Sequence, residues 1–383
     1  MITRRCLIGM LAVVLDGVVA CGARTAPLVA DAALASEPDA GPPEVDAGLP
    51  FFTFPCRWTL GDETVLVVQA TPLRDVIAAV PLAADVALVM TADVTGTTGY
   101  RGALVSITDP PTVLRPVSHD IGGELVGLED GWGQLEIGDA GCTLVRYDAS
   151  FASTTGGLLL ATSSACQLER RDARLLEVVS DEGAQVRLVA HALSSGVMSL
   201  PSVAVRPSSA VGASYDPRFG WIALSLRAGA LELDRVPTSG GPAAVYRLPE
   251  GATALAVEPD RLRVGILVLR QDPSGRELLE RLSPVADPPV LDRLLDVSAI
   301  GTSTGELVST EAEAGIALRD GRVVFAPTSG TAPSVIGPVT SEPIEDIHIA
   351  LRAGTSVGVV AYDYFDRASS QHRLAVRALS CNR

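Results

Sequence analysis

The 383-residue chain contains no lysine, so all 30 of its basic residues are arginines. That excludes a P-loop lysine, a Schiff-base lysine and a Ser-Lys dyad, although a GC-rich genome accounts for the composition without any functional reason. Aromatic residues make up only 4% of the chain, leaving few platforms on which bases or sugars could stack. Positive charge is also scarce: 45 acids give a net charge of −15, and the arginines are scattered among them. Phosphate binding needs clustered cations, which excludes nucleic acid as a partner. No cofactor motif is present. No CxxC and no close histidine pair marks a metal site, and no stretch has a persuasive helical period.

What the chain does have begins at its N-terminus. Arg4 and Arg5 precede an apolar core from Leu7 to Leu15, and Ala20 follows, which are the parts of an export signal. The core is too short to span a bilayer. Val18, Val19, Ala20 and Cys21 resemble the lipobox of bacterial lipoproteins, with Asp16 inside the core as a departure from the pattern. The resemblance covers only the first twenty-odd residues. It implies cleavage before Cys21, acylation of its thiol and stable membrane attachment through several acyl chains. Gly22 stands where an Asp would retain the protein at the inner membrane, so the resemblance implies the outer membrane. Thr3 to Leu7 is also similar to a twin-arginine export motif. Cleavage removes two positive charges and one negative, taking −15 to −16.

Residues 1–20 thus read as a signal peptide and 21–50 as a tether. Gly22 to Pro50 is rich in Ala, Pro, Asp and Gly and has no apolar period, as expected of disorder. It would reach roughly 90 Å if fully extended and about 30 Å as a flexible coil. Residues 51–383 form the folded domain.

Of six cysteines, Cys6 leaves with the signal and Cys21 takes the lipid, so Cys56, Cys142, Cys166 and Cys381 remain for an oxidising compartment. Three pairings are open. Proximity favours Cys142 with Cys166, and position at the two ends of the folded region favours Cys56 with Cys381. In the chain-entropy model these loops contribute roughly 3.5 and 6 kcal/mol.

From Phe51 onward, short apolar runs alternate with period two and are broken every eight to twelve residues by Gly, Pro, Asp or Ser, as in Thr64–Gln69, Gly102–Ile107, Gln185–Ala190, Trp221–Leu226 and Val264–Leu269. This is the pattern of an all-β chain. Arg276–Leu282 and Leu291–Leu295 could each make a helical turn or two. Glycines opening apolar strands recur at Gly61, Gly102, Gly141, Gly183, Gly220, Gly265, Gly315 and Gly358, and Arg276–Ser283 and Arg373–Ser380 both end in Leu-Ser. A period near 40 to 50 with about four strands per unit is what propeller blades require. The folded region divided by that period gives about seven blades, with six to eight allowed, and the overall resemblance is to degenerate β-propeller lipoproteins of bacterial envelopes. A Cys56–Cys381 bridge would then latch the ring where its first and last strands meet. A large β-sandwich or two stacked β-domains is the competing fold.

Several patterns could carry chemistry. Gly301, Ser303 and Gly305 fit G-x-S-x-G, and Asp346 followed by His348 or His372 completes a triad order, but hairpin strands are the wrong context for that motif. Tyr362 to Asp366 places Asp363 and Asp366 near two aromatics at an expected strand end, where they could hold calcium or a sugar. Glu129 with Asp130 and Glu345 with Asp346 are neighbours expected on opposite sides of a strand, too far apart to act together. His119, His191, His348 and His372 are expected in different blades. The balance is a monomeric, non-catalytic lipoprotein that binds an envelope protein, an extracellular protein or a small ligand. The alternative is an extracytoplasmic hydrolase or lyase with its site in the channel.

Overall fold

Both faces of most strands are apolar, so each sheet must be covered on both sides. A computed structural model shows how. It describes residues 56–382 apart from short stretches between strands, and the side chains of residues 154–254 only in part; residues 1–55, with Cys21 and the tether, lie outside the described residues.

The described residues form seven antiparallel sheets. After β1 (Arg57–Gln69), blade 1 holds β2 (Leu73–Ala79), β3 (Val86–Asp93), β4 (Tyr100–Ser106) and β5 (Thr112–His119). Blade 2 holds β6 (Leu125–Gly127), β7 (Gly131–Gly138), β8 (Gly141–Asp148) and β9 (Leu158–Ala161). Blade 3 holds β10 (Cys166–Arg170), β11 (Leu175–Asp181) and β12 (Val186–Ala192), with β13 (Met198–Ser199) and β14 (Val203–Val205) both on its outer edge. Blade 4 holds β15 (Ser209–Asp216), β16 (Gly220–Arg227), β17 (Ala230–Val236) and β18 (Ala244–Arg247). Blade 5 holds β19 (Thr253–Pro259), β20 (Ile266–Gln271), β21 (Glu277–Ser283) and β22 (Val290–Asp296). Blade 6 holds β23 (Ser303–Ser309), β24 (Glu313–Leu318), β25 (Val323–Pro327) and β26 (Ser334–Ile336). Blade 7 holds β27 (Ile344–Leu351), β28 (Val357–Asp366) and β29 (Gln371–Asn382), and its outermost strand is β1.

The first strands of blades 1, 2 and 3 lie side by side, as do those of blades 4 to 7, β15 lies against β11 of blade 3, and β27 returns to β2. The described residues form a seven-bladed β-propeller in which β1 completes the last blade.

Period-two alternation between two apolar partners explains why the second strands look hydrophobic throughout. Val359 and Ala361 of β28 pack toward blade 1, whereas Val360, Tyr362 and Tyr364 pack toward blade 6. In β24, Ala314, Ile316 and Leu318 face blade 5 while Ala317 faces blade 7. In β3, Ala87 and Val89 join blade 7 and Leu88 and Met90 join blade 2. A one-residue slip in any of these strands would exchange its two neighbours.

Several expectations need correction. Gly220, Gly315 and Gly358 do lie on, and Gly265 just before, second strands, but Gly102 and Gly141 lie on third strands and Gly61 lies in β1. Gly183 is outside the described residues. The repeat in glycine therefore mixes positions that are not equivalent. Close approach explains some of them: a Cβ on Gly102 would sit 1.9 Å from the Val89 carbonyl oxygen, and one on Gly358 would sit 2.1 Å from that of Ala350. Of Arg276–Leu282, all but Arg276 belongs to β21, and Leu291–Leu295 belongs to β22, rather than to helical turns. Their pairing with each other and with β20 overrides the weak local period. The one 3-10 turn among the described residues is Val297–Ala299.

Candidate functional site

Two places concentrate polar chemistry: the outer strand that closes blade 7, and the inner strands around the channel. Closure begins with the ladder of β1 on β29, which runs from Arg57 opposite Asn382 to Gln69 opposite His372. Cys56 and Cys381 are bonded with Cα atoms 5.4 Å apart, and Cys142 and Cys166 join blade 2 to blade 3 with Cα atoms 6.3 Å apart. The Trp58 ring stacks on Phe325 of blade 6 with centroids 3.9 Å apart, and its Nε1 donates to Glu313 Oε2 at 2.6 Å. Glu63 accepts the hydroxyls of both Tyr362 and Tyr364, and Arg377 bonds the Tyr362 hydroxyl and the Gly61 carbonyl. Burial, reinforced by Glu63, pushes the Tyr364 phenol up to about 12 and that of Tyr362 higher still. Both tyrosines therefore remain donors at any physiological pH.

The inner strands present a different problem. Each has one edge without a ladder partner, and irregular register interrupts the other edge in β2 between Arg74 and Ile77, in β23 between Ser303 and Leu307, and in β27 between Ile344 and Asp346. An open inner edge and a bulge both leave backbone N–H groups without ladder partners, and buried free donors are costly. Carboxylates meet this need across three successive seams. Glu277 of blade 5 accepts the Ser303 amide at 2.7 Å, Glu306 of blade 6 accepts the Ile349 amide at 2.9 Å, and Asp346 of blade 7 accepts the Val76 amide at 2.9 Å. A hydrogen bond to a charged acceptor contributes about 1.5–3 kcal/mol.

Between the inner strands lies a cavity of about 140 Å³, walled by Ala78–Val80, Leu125–Gly127 and His348–Leu351, with Glu258, Val308 and Ser309. Most of the lining residues are aliphatic, but Glu258, Ser309 and His348 join them, so the exposed wall is polar as well as apolar. His348 lines it while its Nδ1 lies 3.0 Å from Glu306 Oε1, so the Glu306 carboxylate is shared between that ring and a main-chain amide.

The residues singled out from the sequence are distributed as follows. Ser303 opens an antiparallel inner strand, not the strand-to-helix elbow that a G-x-S-x-G nucleophile needs. Asp363 and Asp366 are not brought together. Asp363 is 1% exposed on the face of β28 toward blade 1, whereas Asp366 caps the β28–β29 hairpin by accepting the Ala368 amide at 3.0 Å and the Ser369 hydroxyl at 2.7 Å. Their odd spacing puts them on opposite faces of the strand. Among the described residues no group of three His, Cys, Asp or Glu could hold a metal ion. Glu129 lies in the turn between β6 and β7 rather than on a strand, and Asp130 is outside the described residues. His348 and His372 share blade 7, contrary to the expected scatter, and His372 pairs its Nδ1 with Glu345 at 3.2 Å. His119 and His191 lie on β5 and β12, with side chains outside the described residues.

Sequence reasoning missed the meeting of Asp346 and Asp363. They are directly opposite in the β27–β28 register, and the Asp346 amide donates to Asp363 Oδ1. Burial raises the carboxyl of Asp346, and burial together with the Asp346 charge pushes Asp363 up to about 8. The signal was available: pairing the two strands as a hairpin sets these positions across from each other.

No family model and no curated protein matches the chain. Solved structures do. The WD40 domain of Toxoplasma gondii coronin is similar with a TM-score of 0.46 and 11% identity, over 84% of this chain and 87% of that one. Kluyvelomyces marxianus Hsv2 is similar with a TM-score of 0.44 and 8% identity, over 79% and 96%. The β-propeller domain of Myceliophteria thermophila Cps50 (Swd1) is similar with a TM-score of 0.42 and 13% identity, over 82% and 99%. The fold assignment rests on the seven-sheet topology itself.

Proposed function

We propose that this protein is a membrane-tethered, extracytoplasmic binding or scaffold lipoprotein, monomeric and without catalytic activity, anchored at the outer membrane through Cys21. The observation that carries the binding reading is how the acids at the blade seams are used. Glu277, Glu306 and Asp346 accept main-chain amides of the next blade, and none of the three lines the cavity between the inner strands. Carboxylates so used hold blades together and leave the rim loops of a rigid ring as the surface for recognition. The two cysteine pairs support an oxidising compartment. The test is metabolic labelling with a fatty acid, combined with crosslinking in intact cells. Label on the wild-type chain but not on Cys21→Ser, with envelope proteins crosslinked to the wild type alone, is the expected result. Label persisting on Cys21→Ser would sink the anchor, and hydrolysis of an envelope polymer by the purified chain would sink the non-catalytic reading.

A further inference from the structure

Asp363 is the most deeply buried acid facing the seam between blades 7 and 1. Its Oδ1 accepts the Asp346 amide, and its Oδ2 is buried without a hydrogen-bond partner. Asp346 lies across the ladder with both oxygens engaged, Oδ2 by the Val76 amide of blade 1 and Oδ1 by the Ile347 amide. The charges around the pair are largely of one sign. From β27, Asp346 and Glu345 act on Asp363; Glu306 of β23 acts on Asp346 with the same sign, and His348 with the opposite sign when protonated. From β29, His372 is paired with Glu345 and Arg373 with Asp366. From β2, Arg74 and Asp75 lie 3.9 Å apart and partly exposed, and β3 presents Ala87 and Val89. No cation is bonded to Asp363 among the described residues.

We propose that Asp363 carries a proton, and that its neutrality keeps Asp346 seated on the Val76 amide of blade 1, so that the seam is tight in acid and loosens as the medium turns alkaline. The proton sits on Asp363 Oδ2, the oxygen otherwise left without a partner, while Asp346 stays ionised and keeps the Val76 amide. Loss of the proton leaves two carboxylates on directly opposed residues, where like charges cannot both be stable at close range. The strain is relieved by withdrawal of Asp346, and that frees the Val76 amide. The sign follows from linkage. Asp363 titrates near 8 when folded and near its ordinary value of 3.8 when unfolded. The native state therefore binds the extra proton between those two pH values. Stability falls as pH rises through that window and is level above it.

The test is thermal unfolding of the full chain from pH 4 to pH 9, wild type against Asp363→Asn, with amide exchange followed at Val76. The variant should melt within roughly a degree of wild type at pH 4 and several degrees above it at pH 8, with the Val76 amide more protected than in wild type at the alkaline end. Parallel melting curves, or a variant as much destabilised at pH 8 as at pH 4, would overturn the proposal. If Asp363→Asn does not fold, carbon-13 labelling of the wild-type aspartates decides the matter. One carboxyl titrating near pH 8 supports the proton on Asp363, and all of them titrating below pH 5 refutes it.

Discussion

Blades 3 and 7 finish their outer edges in opposite ways. In blade 7 the outer strand is the 13-residue β1, brought from the far end of the chain and paired along nearly all of β29. In blade 3 the outer edge of β12 is divided between two short strands, the two-residue β13 and the three-residue β14. β13 and β14 follow closely on β12 in the chain and cannot diffuse far when they detach. β1 is separated from β29 by the whole ring, so its loss would open the propeller. What the closing blade teaches is that the disulfide, the Trp58 stack and the Glu63 network all gather at the strand whose return is entropically costly.

If that is right, breaking the two bridges should have unequal effects. Replacing Cys56 and Cys381 together with serine should cost about 5 kcal/mol, against about 3 kcal/mol for Cys142 and Cys166. Urea unfolding of the two double variants measures both, and equal losses would remove the special status of the closing blade. Next in size, Trp58→Ala should cost about 3–5 kcal/mol, because it empties a buried site and strips the donor from Glu313. Trp58→Phe, which keeps an aromatic ring over Phe325, should cost distinctly less, and the gap between the two melts separates packing from hydrogen bonding. The smallest effect sharpens the other side of the comparison. In the unmodified protein, amides of β13 and β14 should exchange by local opening, while those of β1 exchange only with global unfolding. Mass-spectrometric exchange that finds β1 as labile as β13 would contradict this.

Much of the architecture was legible because it is written in local alternation. Val264–Leu269 and Trp221–Leu226 read as strands from short apolar runs between turn residues, and in the ring Ile266 and Val268 meet blade 4 while Leu267 and Leu269 meet blade 6. The cysteine pairing was legible from position alone. The glycine register was less informative, since glycine serves close backbone approach on third strands in some blades and on second strands in others. The acids were the least legible. Asp272 accepts the amides of Ser274 and Arg276 in the β20–β21 turn, as Asp148 does with Ser150 and Ala152 after β8. Hydrogen bonds hold both carboxyls below their ordinary range. Their D-x-S spacing could have been recognised as turn chemistry. Glu277, Glu306 and Asp346 could not, because their partners are main-chain amides of the next blade, and no residue type marks an amide left free at an inner edge or a bulge.

The position of Cys56 has a mechanical consequence. Any pull transmitted through the residues that precede it reaches β1 at the Arg57–Asn382 end of its ladder, a geometry in which a strand would peel away one rung at a time. The bond to Cys381 lies at that first rung and diverts the load into β29, inside the sheet, so that tension must shear blade 7 as a unit instead of unzipping its edge.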